Sequence, residues 1–164
     1  MKTLLILRHA KSSWDDASLD DRDRPLNARG RRDAPRIGEL LHDEQLIPDV
    51  IITSDAVRAH STADAVAAAS GYQRDLEVEP LLYHAAPEDI LAVLQSVADA
   101  DARSVMIVGH NPGLEDFVAQ LTGESHDLPT AALVQLALPI TSWREISAAT
   151  VATLIGIWRP KELA

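Results

Sequence analysis

The chain contains no cysteine in 164 residues. Disulfides, thiolate metal ligands and cysteine nucleophiles are thereby excluded together. Long apolar runs are also missing. No stretch approaches the ~20 residues of a membrane-spanning helix. The apolar run at 3–7 stops at Arg8-His9, too short for the core of a secretory signal and without a small-residue cleavage site. Positive charge is scarce: 15 Lys and Arg stand against 25 Asp and Glu, a formal charge of −10. Such a surface repels nucleic acid and anionic lipid. These absences lead to the expectation of a cytoplasmic protein with neither a nucleic-acid nor a membrane partner. Aromatic residues make up only 4%, so Trp14 in a polar loop stands out as a candidate pocket rim. No His-Glu-x-x-His or His-x-His spacing occurs, which predicts no metal. Neither glycine-rich nucleotide-binding signature is present, and no cofactor is expected.

What is present is an ordinary globular balance, with 46% apolar and 24% charged residues. The length predicts a single domain over residues 1–164. Apolar β-type runs alternate with helical patterns, the signature of a mostly parallel α/β domain. Strands are expected at 4–7, 50–53, 105–108, 133–138 and 151–158, with a weaker one at 76–78. Helices are expected from Asn27 toward Asp43, with Pro35 kinking or restarting it. Others are expected over 56–70 ending at Gly71, over 87–98, and over 112–121. Residues 11–26 read as a loop. Its arginines Arg22 and Arg24, with Arg29, Arg31, Arg32 and Arg36 beyond, interleave with Asp20, Asp21, Asp23 and Asp33. That stretch predicts an exposed, ion-paired face.

Ligands of open α/β sheets bind beyond the carboxyl ends of the strands. Three strand ends carry suitable groups: Arg8-His9, then Ser54 with Arg58 following, and His110-Asn111. Two arginines and two histidines without clustered carboxylates suit a phosphoryl group. Guanidinium forks match phosphate oxygens, and a neutral imidazole attacks phosphorus. A second, protonated imidazole donates to the transition-state oxygens. The helix starting at Pro112 is expected to add free N–H groups. Lys11 and Ser12 are weaker candidates for substrate contact; capping the loop explains them equally well. His42, His60 and His126 are expected to be solvated or structural.

These residues fall into four ordered motifs. Leu7-Arg8-His9-Ala10 resembles the Arg-His-Gly/Ala motif of the histidine phosphatase (phosphoglycerate-mutase-like) superfamily. Pro25–Ala34 resembles its Leu-Thr-x-x-Gly-x-x-Gln-Ala helix start. Ser54–Ala63 is similar to Ser-x-x-x-Arg-Ala-x-x-Thr-Ala, and Val108–Gly113 is similar to the second-histidine motif. Arg-His-Ala-Lys-Ser-Ser-Trp followed by Asp-Arg-Pro-Leu-Asn resembles the short, SixA-type phosphohistidine phosphatases. The resemblance implies a three-layer α/β/α fold with a mostly parallel mixed sheet closed by its last strands. It implies His9 as the nucleophile that becomes phosphohistidine, Arg8 and Arg58 as phosphoryl ligands, and His110 as the residue completing the pocket. It also implies a phosphorylated protein as substrate and an oxyanion in the pocket.

Mutases and many small-molecule phosphatases of this superfamily carry a Glu general acid after the third strand, often in an inserted lid. Here no Glu takes a clear position. Glu79, Tyr83 and His84 are the candidates, and residues 72–103 leave no room for a large lid. A departing imidazole is easier to protonate than an alkoxide, so both departures favour phosphohistidine as substrate. A small-molecule phosphomonoesterase or mutase on the same site is the alternative. A phosphate-sensing module without turnover is the alternative of another class.

Overall fold

A computed structural model describes residues 1–163. Six strands form one sheet: β1 (Lys2–Arg8), β2 (Val50–Thr53), β3 (Glu77–Val78), β4 (Ser104–Gly109), β5 (Leu133–Leu138) and β6 (Thr153–Trp158), ordered β3-β2-β4-β1-β5-β6. The pairs β1–β4, β2–β4 and β2–β3 are parallel, whereas β1–β5 and β5–β6 are antiparallel. The sheet is therefore mixed but mostly parallel, and the late strands extend it beyond β1. Helices α1 (Ala28–Asp43), α2 (Val57–Ser70), α3 (Pro87–Gln95) and α4 (Gly113–Thr122) complete the layers.

Side-chain alternation along the strands divides the core in two. Leu4, Ile6, Val50, Ile52, Val105 and Ile107 face a cluster with Ile90 and Leu94 of α3 and Phe117 and Leu121 of α4. Leu5, Leu7, Ile51, Met106 and Val108 face the other way, toward Ile37 and Leu41 of α1 and Ala59, Ala63 and Val66 of α2. Both faces of the central strands are covered, which is why those segments read as continuous apolar runs. Each fully buried aliphatic side chain contributes roughly 1.5–3 kcal/mol. The centre of the sheet is thus the rigid support for whatever its strand ends carry.

Several boundaries differ from the sequence reading. The α1 helix runs unbroken through Pro35, although that residue cannot donate a helical N–H; packing of Ile37 and Leu41 against the sheet holds the helix across the gap. Its start is as expected, with the Asn27 side chain accepting from Gly30 N–H at 2.9 Å. The α3 helix ends at Gln95, three residues before the expected limit. Pro112 lies just outside α4 as its N-cap residue, not in its first turn. The weakest expected strand is the shortest, with only Glu77 and Val78 paired to Ile52 and Thr53.

Candidate active site

The ends of β1, β4 and β2 lie side by side. Hydrogen bonding continues one residue past them: His9 N–H donates to Gly109 C=O at 3.0 Å, and Ser54 N–H donates to Val108 C=O at 3.0 Å. His9, His110 and Ser54 are thereby held on one edge. A cavity of about 300 Å³ opens there, lined in part by Arg8, His9, Arg58 and His110. The expected convergence of two arginines and two histidines is what the structure contains.

His9 is buried, and its Nδ1 lies 2.8 Å from the Ala10 carbonyl. A carbonyl only accepts, so Nδ1 carries the proton and Nε2 keeps the lone pair. Burial, opposed by the bond to Ala10 and reinforced by Arg58, Arg8 and Arg24, lowers the His9 pKa to about 4. The ring is neutral at physiological pH, the state required of a nucleophile. Ala10 is itself tied down. Its N–H donates to Thr62 Oγ1 at 2.9 Å, and that hydroxyl donates to the Arg58 carbonyl at 2.7 Å. Thr62 therefore locks the peptide beside His9 to the first turn of α2, which carries Arg58.

Arg58 is almost fully buried. Its Nη1 donates to the Asp21 carbonyl at 2.6 Å and its Nη2 to Asp21 Oδ2 at 2.9 Å, while Nε has no partner. Arg8 donates through Nη1 to Leu128 C=O at 2.9 Å, and its buried Nε is likewise unpartnered. Buried donors without acceptors are costly. Two of them, on cations that line one cavity, are donors that an oxyanion could satisfy.

His110 is held from both ring nitrogens. Its Nε2 is 2.9 Å from Ser54 Oγ and its Nδ1 is 3.4 Å from Arg58 Nη2. Guanidinium nitrogens only donate, so Nδ1 is the acceptor and Nε2–H donates to Ser54. Burial, with His9, Arg58 and His84 nearby, pushes the His110 pKa down to about 2, against the opposing charge of Asp21. The second imidazole is thus neutral in the unliganded protein. Of the first amides of α4, Leu114 N–H donates to His110 C=O, Glu115 N–H to Asn111 Oδ1 and Asp116 N–H to Pro112 C=O, which leaves Gly113 N–H, among the described residues, as the free donor of that turn.

The sequence matches the histidine phosphatase superfamily (branch 1) over residues 4–86. The chain belongs to that superfamily. A chloroplastic protein of Arabidopsis thaliana without assigned function is 33% identical over 152 residues, covering 88% of this chain and 70% of that protein. A candidate phosphohistidine phosphatase SixA from Agrobacterium tumefaciens superposes with a TM-score of 0.81 at 30% identity, covering 97% of this chain and 98% of that one. A second candidate SixA, from Nakamurella multipartitia, gives 0.82 at 26% identity over 97% and 96%. The fold is accordingly that of the histidine phosphatases, with SixA-type chains among its neighbours.

Residues 11–26 are not a merely solvated loop. Asp21–Asp23 form a 3-10 turn that delivers Asp21 into the site. The Asp21 carboxylate accepts from Tyr83 Oη, Arg58 and His84 on Oδ2, and from Arg24 on Oδ1. Burial resists its ionisation, but the bonds from Tyr83 and Arg58 dominate and hold the carboxyl well below its usual range. Arg24 is buried as well, donating to Ser12 Oγ at 2.8 Å and stacking 3.5 Å from the Trp14 ring centre. The ion pairs of that stretch form, but the expected exposure is wrong for Arg24 and Asp33, which are buried, and Asp21 is partly covered because its turn folds toward the cavity. Arg29, itself partly exposed, pairs with Asp33 at 3.5 Å. Lys11, Ser12 and Trp14 all line the cavity. Of the three acid candidates, Glu79 caps the turn at 80–82 by accepting from Leu81 N–H and does not line the cavity. Burial and Asp21 raise the Tyr83 pKa, which makes it a poor acid. His84 remains, at the cavity mouth. Sequence reasoning missed the roles of Asp21, Arg24 and Thr62. Thr62 had a signal in its place in the Ser-x-x-x-Arg-Ala-x-x-Thr-Ala segment, and Arg24 in its place in Asp-Arg-Pro-Leu-Asn; Asp21 had none.

Proposed function

We propose that this chain is a metal-independent phosphohistidine phosphatase of the SixA type, acting through a covalent phosphohistidine on His9. One observation carries the reading: Nδ1–H of His9 is spent on Ala10 C=O, so the free lone pair of Nε2 is available in a cavity lined by two arginines with unpartnered Nε–H groups. Nε2 attacks phosphorus in line as the bond to the departing nitrogen breaks. Arg8 and Arg58 hold the equatorial oxygens. The arriving dianion adds negative charge among these cations and draws a proton onto His110 Nδ1, which turns from acceptor into donor. Water then attacks the phosphoenzyme and frees His9.

The substrate assignment rests on the mouth of the cavity. Between α2 and β4 the chain holds only β3, a 3-10 turn and α3, so no inserted lid covers the pocket. A phosphorylated side chain on another protein can enter it directly. The SixA candidates among the neighbours point the same way.

The test is release of inorganic phosphate from a phosphohistidine-bearing protein, with His9→Ala as control. Labelling by a phosphodonor is expected to be acid-labile, alkali-stable and absent in His9→Ala. Equal turnover of phosphohistidine and unrelated sugar phosphates would move the assignment to a small-molecule phosphatase. Binding without labelling would make the protein a phosphate sensor.

A further inference from the structure

His84 sits at the mouth of the cavity with its side chain half-exposed. Its ring centre is 5.1 Å from that of His110, which is itself 5.2 Å from that of His9. Its Nε2 lies 3.1 Å from Asp21 Oδ2. An ionised carboxylate only accepts, so Nε2 is the protonated nitrogen and Nδ1 is the one that can exchange a proton. Nδ1 has no hydrogen-bond partner among the described residues. The backbone at His84 has φ +47°, a left-handed conformation uncommon for residues with a side chain. The ring is therefore placed by an unusual turn on one side and a carboxylate on the other. That carboxylate also accepts from Arg58, which links the position of His84 to the cation that grips the phosphoryl group.

We propose that Asp21 and His84 form the proton-handling pair of the leaving-group side, with His84 the catalytic acid and base and Asp21 its positioning residue. The inference rests on the covalent mechanism proposed above. In the first half-reaction, His9 Nε2 bonds to phosphorus, and the electron pair of the breaking bond goes to the departing nitrogen. That nitrogen takes the proton from Nδ1 of protonated His84. In the second, neutral His84 Nδ1 removes a proton from water as its oxygen bonds to phosphorus. The bond to His9 Nε2 breaks, its electron pair returns to the ring, and orthophosphate leaves. Asp21 keeps Nε2 protonated throughout and balances the imidazolium, as a carboxylate does for a catalytic histidine elsewhere. The groups facing His84 are Asp21 from the 3-10 turn, Tyr83 beside it, on whose ring Arg22 stacks, His110 beyond β4, and Arg58 of α2 through Asp21.

Leaving groups separate this role from a structural one. p-Nitrophenolate departs without a proton, whereas imidazole needs one. In single-turnover measurements, His84→Gln is expected to slow phosphoryl transfer from a phosphohistidine protein by about 10²-fold or more. Transfer from p-nitrophenyl phosphate is expected to slow at least ten-fold less. The variant also loses the alkaline limb of the wild-type profile with phosphohistidine. Asp21→Asn is expected to reproduce the leaving-group bias and to raise KM as well, through Arg58. Equal slowing with both substrates, or an unchanged pH profile, overturns the proposal. So does loss of inorganic-phosphate binding by His84→Gln, which would place His84 among the phosphoryl ligands. If wild-type protein ignores phosphohistidine but hydrolyses alkyl phosphates, the substrate assignment fails. The same comparison with an alkyl phosphate then still tests the pair.

Discussion

The floor and the rim of the cavity are built differently. The floor consists of residues at strand ends or on the first turn of a helix: Arg8, His9, Arg58 and His110. Three of these four are buried, and they are positioned by ladder hydrogen bonds, by Ser54 beneath His110 or by Thr62. The rim consists of Lys11 to Arg24 and Tyr83–His84, from irregular segments. It is held by side chain–side chain bonds that meet on one carboxylate, Asp21. The contrast teaches a division of labour. A floor fixed by the sheet suits covalent chemistry that tolerates little displacement. A rim fixed by a few polar contacts suits exchange with solvent and with a partner surface.

The strongest test of the floor is His9→Ala. It is expected to lower turnover by about 10⁴-fold or more, as removal of a nucleophile does, while thermal unfolding stays cooperative. Turnover close to wild type would mean that the floor does not carry the reaction.

Acid titration examines the floor without mutation. The folded pKa values of His9 and His110 lie below that of an unfolded histidine near ~6.5. Between those values the unfolded chain binds more protons, so stability is complete above about pH 6.5 and falls as the pH drops. His9 alone accounts for roughly 3 kcal/mol by pH 4. Denaturant unfolding from pH 7 to 4.5 is expected to register this loss, and His9→Asn to flatten it. Asp21, with a depressed pKa, contributes only at lower pH, where unfolded carboxyls near ~4 take up protons.

Gly113 joins the two regions. A Cβ there would overlap the carbonyl oxygen of Ala85, next to His84. Gly113→Ala is expected to cost about 1–3 kcal/mol and to displace the rim at His84. Turnover should suffer more with a leaving group that needs a proton than with p-nitrophenyl phosphate. A purely global loss of stability, with no change in that preference, would show the regions to be uncoupled.

The smallest expected effect is at Trp14, which is 71% exposed with Arg24 stacked on its ring. Trp14→Ala is expected to raise KM for a protein-borne substrate several-fold, in line with an aromatic contact at an interface edge, and to raise it less for p-nitrophenyl phosphate. Equal changes with both substrates would remove Trp14 from the partner surface.

Legibility in the sequence followed the same division. The floor was readable because apolar runs mark strands and the next polar residue marks a strand end. Arg8, His9 and His110 are legible that way, and Arg58 lies on the helix that follows the end of β2. The acceptor on His9 was not, because it is a backbone carbonyl and every residue has one. The neutral state of His110 was hidden as well, since it depends on burial beside Arg58 and His9.

The amino-acid order by itself determined a mostly parallel sheet and which residues end its strands, since both follow from local periodicity and short-range connection rules. It also excluded thiol chemistry outright. Tertiary structure alone decided that Asp21 turns inward to Arg58, Tyr83 and His84, which lie 37, 62 and 63 positions away. In sequence an aspartate among arginines looks like one more solvated ion pair. Only the packing of the 3-10 turn against α2 and the turn before α3 selects which cation it meets, because at that range the partner is set by the fold and not by spacing along the chain.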